Sequence, residues 1–483
     1  MSSYDFDIGI IGGGSAGLTV AAGSAQLGAK TLLIDKEGRL GGDCLHYGCV
    51  PSKTLIRSAK VYHLMKRASD FGLPEVGICP VDFSKVSGRI KSVISKIQKH
   101  DSVERFCGLG AKVEFGEPEF ADEHSLRLNG QTYSAKNWVI ATGSSPMIPQ
   151  VKGLDTTPYI TNREIFYLDH LPTSMIIFGG GPIGIEMAQA FCRLGTKVSV
   201  IQRSGQILPK EDADMSTSVM EVLTREGVTF YLSTSIVSTK DIGSEREVVM
   251  KTGDGSDVEL RAEIILVATG RRPNIEGLNL ERIGVEFDEK GIRVDNRMRT
   301  TQKHIYAAGD VSGGYLFTHA AGYEGGIVVS NAIFHLPRKV DYTFFPWCTY
   351  IDPELASIGM NEAAAKAAGI SCSVWTEEFR SNDRSLAEGE ESGRIKMILD
   401  EKEAPVGVQI FGQHAGDLVS EWVAALAGGV KLSRLVSAVH PYPTLGEINK
   451  KVAANFLAKK IFSDKVKKGL KFFFNLKGRA CGD

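Results

Sequence analysis

The sequence predicts an α/β chain in which two parallel-sheet modules of one plan precede a third, mixed α+β region. Two stretches of strand, glycine turn, helix and strand predict the modules. The loss of that plan after residue 340 predicts the third region. At 483 residues the chain exceeds one hydrophobic core, and three domains suit a prior of roughly 100–200 residues each.

In the first module Asp7–Ile11 reads as a buried strand, and Gly12-Gly13-Gly14-Ser15-Ala16-Gly17 follows directly. A helix of small residues runs to about Leu27, and Lys30–Ile34 is a second strand ending at Asp35. The second module repeats this with Ser174–Phe178, Gly179-Gly180-Gly181-Pro182-Ile183-Gly184, a helix to about Leu194, and Lys197–Ile201. A further element recurs: Trp138–Ile140 leads into Ala141-Thr142-Gly143, and Ile264–Val267 into Ala268-Thr269-Gly270. Thr142 follows Gly12 by 130 positions and Thr269 follows Gly179 by 90, so the first module is longer. A cysteine segment and two helical stretches, about Pro51–Phe71 and Ser84–Cys107, fill the excess. The third region begins near Asp341. It mixes strands (Ile395–Leu399, Pro405–Phe411) with helices (Ala415–Ala427, Thr444–Phe462) and has no glycine fingerprint.

Composition is that of a soluble globular protein, 43% hydrophobic and 23% charged. Its 53 glycines are about 11% of the chain against a typical ~7%, an excess that suits tight turns and close backbone approach to ligands. A net charge of −1 supplies no field for nucleic acid. The charge is uneven, because residues 451–483 carry nine Lys/Arg and two Asp. Neither a secretory leader nor an apolar run long enough to span a membrane is expected, which places the protein in the cytoplasm. In a reducing compartment a close cysteine pair is more often catalytic than structural.

A G-x-G-x-x-G turn lets the backbone approach a pyrophosphate, and the following helix offers free N–H groups and the positive end of its dipole. Here each turn follows a strand and opens a helix, so two dinucleotides are expected. Asp35, 18 residues past Gly17, stands where an acid holds a ribose hydroxyl. In the second module Gln202 and Arg203 stand there instead, and a cation suits the 2′-phosphate of NADPH over NADH.

The stretch Leu40-Gly41-Gly42-Asp43-Cys44-Leu45-His46-Tyr47-Gly48-Cys49-Val50-Pro51-Ser52-Lys53 is the most informative. Cysteines five apart on a regular helix are about 7.5 Å apart along its axis, too far for a disulfide. Gly48 and Pro51 supply a distortion, with Pro51 opening the regular helix. A helix N-terminus and Lys53 would favour a thiolate. Read by itself, the spacing fits a redox pair or two buried free thiols.

Gly-Gly-x-Cys-x4-Cys-Val-Pro-Ser-Lys between two dinucleotide motifs resembles the pyridine nucleotide–disulfide oxidoreductases, which include dihydrolipoamide dehydrogenase, glutathione reductase and mercuric reductase. The resemblance covers about residues 5–460. It implies two Rossmann-like domains, for FAD and NAD(P), plus a C-terminal α+β dimerisation domain. The implied bounds are 1–150 for the first FAD part, 151–270 for NAD(P), 271–340 for the second FAD part, 341–460 for dimerisation and 461–483 for a tail. FAD positions map to Gly12, Gly14, Gly17, Asp35, Gly42, Lys53, Gly116, Thr142, Gly143, Asp310 and His319. Nicotinamide-nucleotide positions map to Gly179, Gly181, Gly184, Arg203 and Gly270, and Lys53 with Glu186 to a pair beside the flavin ring. The implied mechanism passes hydride from nicotinamide to flavin, which reduces a Cys44–Cys49 disulfide. Cys49 then faces the flavin and Cys44 attacks substrate.

The same resemblance implies a homodimer in which Tyr442 and Glu447 reach the partner's active site. The sequence departs from the family there: His440-Pro441-Tyr442-Pro443-Thr444-Leu445-Gly446-Glu447 puts Tyr442 where the disulfide reductases place a catalytic histidine. A phenol with a pKa near 10 is a poor general base at neutral pH. His440 is then the alternative base. A tyrosine there resembles mercuric reductase, but that enzyme ends in two adjacent cysteines and this chain has only Cys481. A metal-delivery domain before Tyr4 is not expected.

In the tail, Phe462, Val466, Leu470, Phe473 and Phe474 recur at helical spacing among Lys465, Lys467, Lys468, Lys471 and Lys477. This pattern fits a basic amphipathic helix on a membrane surface, a face packed within the dimer, or a partner protein's site. Three functions follow from the whole. They are NAD(P)H-driven reduction of a disulfide or soft metal ion, electron delivery to quinone or oxygen at a membrane, and a redox-sensing binding module.

Overall fold

The computed structural model describes residues 4–478 and 480, which divide into two compact units. The first takes in the chain up to Arg67, Glu75–Leu208 and Leu223–Val340. The second takes in Ala68–Pro74, Pro209–Val222 and the chain from Asp341 on.

The first unit holds both modules. Ala111–Phe115, Thr31–Asp35, Phe6–Ile11 and Gln131–Ile140 run parallel side by side. Their residues Ile8, Ile10, Leu32, Leu33 and Ile34 are fully buried, as expected of a parallel sheet covered on both faces. Ile305–Ala307 returns to pair with Gln131–Ile140 in register Tyr306↔Val139, so a late segment completes the first sheet. Gln131–Ile140 also continues into an antiparallel meander with Ser125–Leu128 and Glu119–Phe120. The second parallel sheet is Thr229–Tyr231, Lys197–Ile201, Ser174–Phe178 and Ile264–Val267.

A separate three-stranded meander, Ser235–Asp241, Arg246–Lys251 and Asp257–Ala262, was not expected from sequence. Its outer strands have largely exposed side chains, so no apolar run marks them.

The second unit is a five-stranded antiparallel sheet in the order Pro346–Thr349, Glu354–Gly359, Pro405–Gly412, Arg394–Leu399, Ser373–Glu378. Ala415–Ala427 and Glu447–Ile461 contribute Val419, Trp422, Ile448, Val452 and Phe456 to the same core as its buried strand residues. Trp422 spends its indole N–H on Asn449, at 2.9 Å. Three of these strands, Pro346–Thr349, Glu354–Gly359 and Ser373–Glu378, were not expected. The expected helix at Thr444 begins instead at Glu447.

Buried Lys396 reaches Asp212 at 2.8 Å, Asp214 at 2.9 Å and also Glu362. These three carboxylates lie close enough together to hold a cation, and the lysine ammonium is the charge that joins them. Among the described residues no helix is long and apolar enough to cross a membrane. The expected tail helix is present as Asp464–Phe474 and buries none of its residues. Cys481 lies outside the described residues.

Candidate active site

The segment bearing the two cysteines folds as two helices, Gly42–His46 and Cys49–Lys66, broken at Tyr47 and Gly48. The regular helix therefore opens at Cys49, with Gly48 as its N-cap, two residues before the expected opening at Pro51. Gly48 takes φ −124° and ψ −109°, which ends the helical rise between the cysteines. The break replaces the axial separation of a continuous helix with contact between sulfurs. The Cys44 thiol donates a hydrogen bond to Cys49. Both cysteines are free thiols; Cys44 is half-buried and Cys49 is exposed.

The pair is electrostatically polarised. The Cys44 hydrogen bond, opposed by burial and helped by the Thr318 hydroxyl and the Lys53 charge, lowers the Cys49 thiol to about 6. Cys44 is pushed upward, first because it is the donor in that bond and then by burial. Thr318 Oγ1 lies 3.3 Å from Cys49 Sγ. Cys49 also opens an 18-residue helix, where the positive dipole end favours a thiolate.

Lys53 stands one turn after Cys49, and its Nζ donates to Glu186 Oε2 at 2.8 Å. Glu186 is buried and comes from the helix Pro182–Leu194, the one that follows the second glycine turn. The two modules thus meet at this ion pair.

The first glycine turn is built from close backbone contacts. Gly12 has φ +114°, and a Cβ on it would meet the Ala141 carbonyl oxygen at 2.2 Å. Gly42 has φ +59°, and a Cβ on it would come within 2.7 Å of the Gly14 Cα. The helix Ser15–Gln26 begins at Gly14 with no side-chain cap. Its first N–H groups are left for an anion, as a pyrophosphate requires. Gly17 lies in the first turn of the same helix, where a Cβ would meet the Gly12 carbonyl oxygen at 1.8 Å. Asp35 accepts from the N–H of Gly13 at 2.6 Å and of Glu37 at 2.7 Å, and burial raises its pKa. Gly116 donates its N–H to the Asp35 carbonyl at 2.9 Å. These features fit the adenosine and pyrophosphate end of FAD.

At the same carboxyl end of the sheet, past Ile305–Ala307, Asp310 lies beside Gly309 and accepts from Ser144 Oγ at 2.5 Å; burial raises its pKa. Arg271 ties this group together. It donates to Ser144 Oγ at 2.7 Å and reaches Asp43, next to Cys44, at 3.1 Å. Thr142 donates to the Asn274 carbonyl at 2.6 Å, and the Asn274 N–H returns to Gly143 at 3.0 Å. His319 is exposed in the first turn of the helix Thr318–Ala332, beside Phe317.

The second glycine turn repeats the first with one substitution. Gln202 Oε1 takes the N–H of Gly180 at 2.9 Å, as Asp35 takes that of Gly13. An amide therefore stands where the first module has a carboxylate. Arg203 follows, exposed and without an ion-pair partner among the described residues. Gly181 has open space around it, Gly184 sits against the Gly179 carbonyl, and the Gly270 carbonyl accepts from Met147 at 2.9 Å.

In the second unit, Tyr442 is 70% exposed and donates its hydroxyl to Asp383 at 2.8 Å. Glu447 instead accepts from the Thr444 N–H at 3.4 Å. His440 is held by Glu421 at 2.8 Å. Reading the sequence missed Thr318, Ser144, Arg271 and Asp383. Arg271 follows the second Ala-Thr-Gly and Thr318 precedes His319, so both sit on noted motifs, whereas nothing in the sequence marks Asp383.

Two glycine turns of one design, a polarised thiol pair and a lysine–glutamate pair between modules define a two-nucleotide redox enzyme. Comparison with known proteins agrees. The family description "Pyridine nucleotide-disulphide oxidoreductase" matches residues 6–325, and that of its dimerisation domain matches residues 345–453. The chain belongs to this family, whose members bind FAD and NAD(P)H. It is 35% identical to a dihydrolipoyl dehydrogenase of Bacillus subtilis, over 92% of this chain and 96% of that one. It is 31% identical to a mercuric reductase of Staphylococcus aureus, over 94% and 82%. Among solved structures, the HOCl-induced flavoprotein disulfide reductase RclA of Escherichia coli superposes with a TM-score of 0.83 at 26% identity, covering 93% of this chain and 99% of that one. RclA has also been solved as a Cu(II) complex, again with a TM-score of 0.83. The chain is therefore a flavin-dependent disulfide oxidoreductase of this family, and its dimerisation domain supports a homodimer.

Proposed function

We propose that this enzyme uses NADPH to deliver electrons through Cys44 and Cys49 to a thiol-reactive acceptor, a disulfide or a soft metal ion. The observation that carries the reading is the polarisation of the thiol pair, with Cys49 lowered to about 6 and Cys44 raised. Mercuric reductase and dihydrolipoyl dehydrogenase among the relatives, and the Cu(II) complex of RclA, support this acceptor class.

Bound FAD supplies the two-electron relay between nicotinamide and the cysteine pair. Gly12, Gly14, Gly17, Asp35, Gly42, Gly116, Thr142, Gly143, Asp310 and His319 are the residues assigned to hold it. Gly179, Gly181, Gly184, Arg203 and Gly270 are assigned to the nicotinamide nucleotide, with Arg203 facing the 2′-phosphate. Lys53, fixed by Glu186, supplies positive charge beside Cys49. Cys44 attacks the acceptor. With a disulfide, its sulfur bonds one substrate sulfur while its proton passes to the other, which leaves as a thiol. Cys49 then closes on Cys44 and releases the second thiol. With a metal ion, both sulfurs ligate. Tyr442 and Glu447 are assigned to the partner subunit's site. The proposed domain bounds are 1–150, 151–270, 271–340, 341–460 and 461–483.

The proposed location is the cytoplasm, with the helix Asp464–Phe474 resting on an anionic membrane surface. Phe472, Phe473 and Phe474 are 82%, 77% and 70% exposed, and Lys465, Lys467, Lys468 and Lys471 share the helix. Co-sedimentation with phosphatidylserine vesicles, lost in Phe473→Ser/Phe474→Ser, tests this. A quinone acceptor is the second reading, favoured by the same exposed phenylalanines. Stopped-flow reoxidation of the NADPH-reduced enzyme by Hg(II), oxidised lipoamide and a quinone, in wild type and Cys44→Ser, separates the two. Reoxidation by sulfur or metal that disappears in Cys44→Ser supports the first. Reoxidation by quinone that ignores Cys44 supports the second.

A further inference from the structure

The two sulfurs meet only because the helix breaks at Tyr47 and Gly48. A break strands carbonyls, and Pro51 decides which one matters most. Proline has no N–H, so the carbonyl four residues before it, that of Tyr47, has no helical donor. The Tyr47 carbonyl accepts instead from the Asn162 amide at 2.9 Å, 115 positions away in the chain. The same amide nitrogen donates to the Asp43 carboxylate at 3.3 Å. Asn162 is buried, and its two amide hydrogens thus tie the residue before Cys44 to the break after it. The His46 carbonyl accepts from the Tyr167 hydroxyl at 2.7 Å. Arg163 holds its guanidinium 4.5 Å from the centre of the Tyr47 ring and pairs with Glu37 at 2.7 Å.

These groups come from one short segment, which is itself fixed. Glu164 accepts from the Thr161 N–H and hydroxyl, both at 2.8 Å, and so closes the turn that carries Asn162 and Arg163. Tyr167 follows in one tight helical turn, Ile165–Tyr167, whose Ile165 and Phe166 are buried. Just ahead, Ile160 joins the second parallel sheet. Its N–H donates to the Ile265 carbonyl at 2.9 Å, and its own carbonyl accepts from Val267 at 2.8 Å. Residues 160–167 therefore run from the second module's sheet to the cysteine turn.

We infer that Asn162 is a positioning residue for electron transfer: its amide holds the break against a continuous helix, and so keeps Cys44 in contact with Cys49. The inference rests on the proposed role of that pair. Gly48 permits the break without requiring it, because a helix tolerates glycine at a modest cost. Pro51 requires only that the Tyr47 carbonyl be left out of the helix. Asn162 is the group that takes up this carbonyl, and it does so from a segment anchored on the second sheet. Without it, Cys44 and Cys49 can separate along the helix axis, which weakens the hydrogen bond between them.

The test uses the FAD-loaded, full-length enzyme. Asn162→Leu keeps the shape of the side chain and removes its N–H groups. In that variant the Cys49 thiolate should titrate about one pH unit higher, approaching the shift expected for losing the Cys44 hydrogen bond outright. The signal is the long-wavelength flavin absorbance of the reduced enzyme. Ultraviolet thiolate absorbance, taken against Cys49→Ser, gives the same titration without the flavin. Asn162→Gln keeps the amide and should recover part of the shift. Asn162→Ser is too short to reach both acceptors and carries the same expectation if Asn162→Leu does not fold. In the Cys44→Ala background Asn162→Leu should add nothing. A titration that moves in Cys44→Ala but stays in place in the Asn162 variants overturns the inference and leaves the cysteine pair standing. An equal shift by Asn162→Leu with Cys44 absent does the same. A wild-type enzyme with no thiolate–flavin absorbance sinks the proposed pair, and the inference with it.

Discussion

The hydrogen bond from Cys44 is the largest influence lowering Cys49, so Cys44→Ala should move that thiol more than any change further away. A hydrogen bond to a charged acceptor contributes about 1.5–3 kcal/mol. At 1.36 kcal/mol per pKa unit this is a rise of roughly 1–2 units. Cys49 would titrate near 7–8 in place of about 6. At pH 7 the thiolate would drop from roughly nine-tenths of the population to between a half and a tenth. The assay is a pH titration of the reduced, FAD-loaded enzyme, followed by the long-wavelength absorbance that a thiolate lends to a neighbouring flavin. Cys44→Ser keeps a hydroxyl donor and should shift less. The sign also bears on stability. The folded-state value lies below that of a free thiol, so the ionised Cys49 stabilises the reduced fold fully above the ordinary thiol range. That contribution fades as pH falls through about 6. A titration that stays near 6 in Cys44→Ala would refute the hydrogen bond as the cause and leave Lys53 or the helix end to explain it.

Other perturbations follow from the same geometry. Lys53→Met removes a cation that lowers Cys49 and takes the ammonium away from buried Glu186; thiol titration should rise and NADPH-dependent turnover fall by tenfold or more, on the order of one charged contact. Gly42→Ala forces a Cβ into the Gly14 backbone at positive φ, so the purified protein should carry substoichiometric flavin, read from its visible absorbance. Arg203→Glu should raise the KM for NADPH at least about tenfold while leaving NADH nearly unchanged, since only NADPH has the 2′-phosphate. Lys396→Met strands three carboxylates that the ammonium now joins, and urea unfolding should show a loss of about 3–5 kcal/mol.

The two glycine turns and their helices were legible because strand, turn and helix signals are local, and each occupies one short run of sequence. The redox segment was legible for the same reason, since its cysteines, glycines and lysine lie within 14 consecutive residues, Leu40–Lys53. Sequence also marked Tyr442 and Gln202 as departures from the pattern that the resemblance implies. It did not show what those departures accomplish, because that depends on atoms brought from elsewhere in the chain. Arg271 reaches Asp43 and Ser144 only when Arg271–Pro273 pairs with Ser144–Pro146. Asp383 meets Tyr442 only because Asn382 clasps the Thr444 carbonyl. The three-stranded meander and the edge strands of the second unit were illegible because partly exposed short strands carry little apolar periodicity. Sequence by itself thus determined the class of chemistry and marked the cysteine pair proposed to carry it. Tertiary structure decided how those residues are polarised, since hydrogen bonds and charge act through space over a few ångströms and the residues that supply them are distant in the chain.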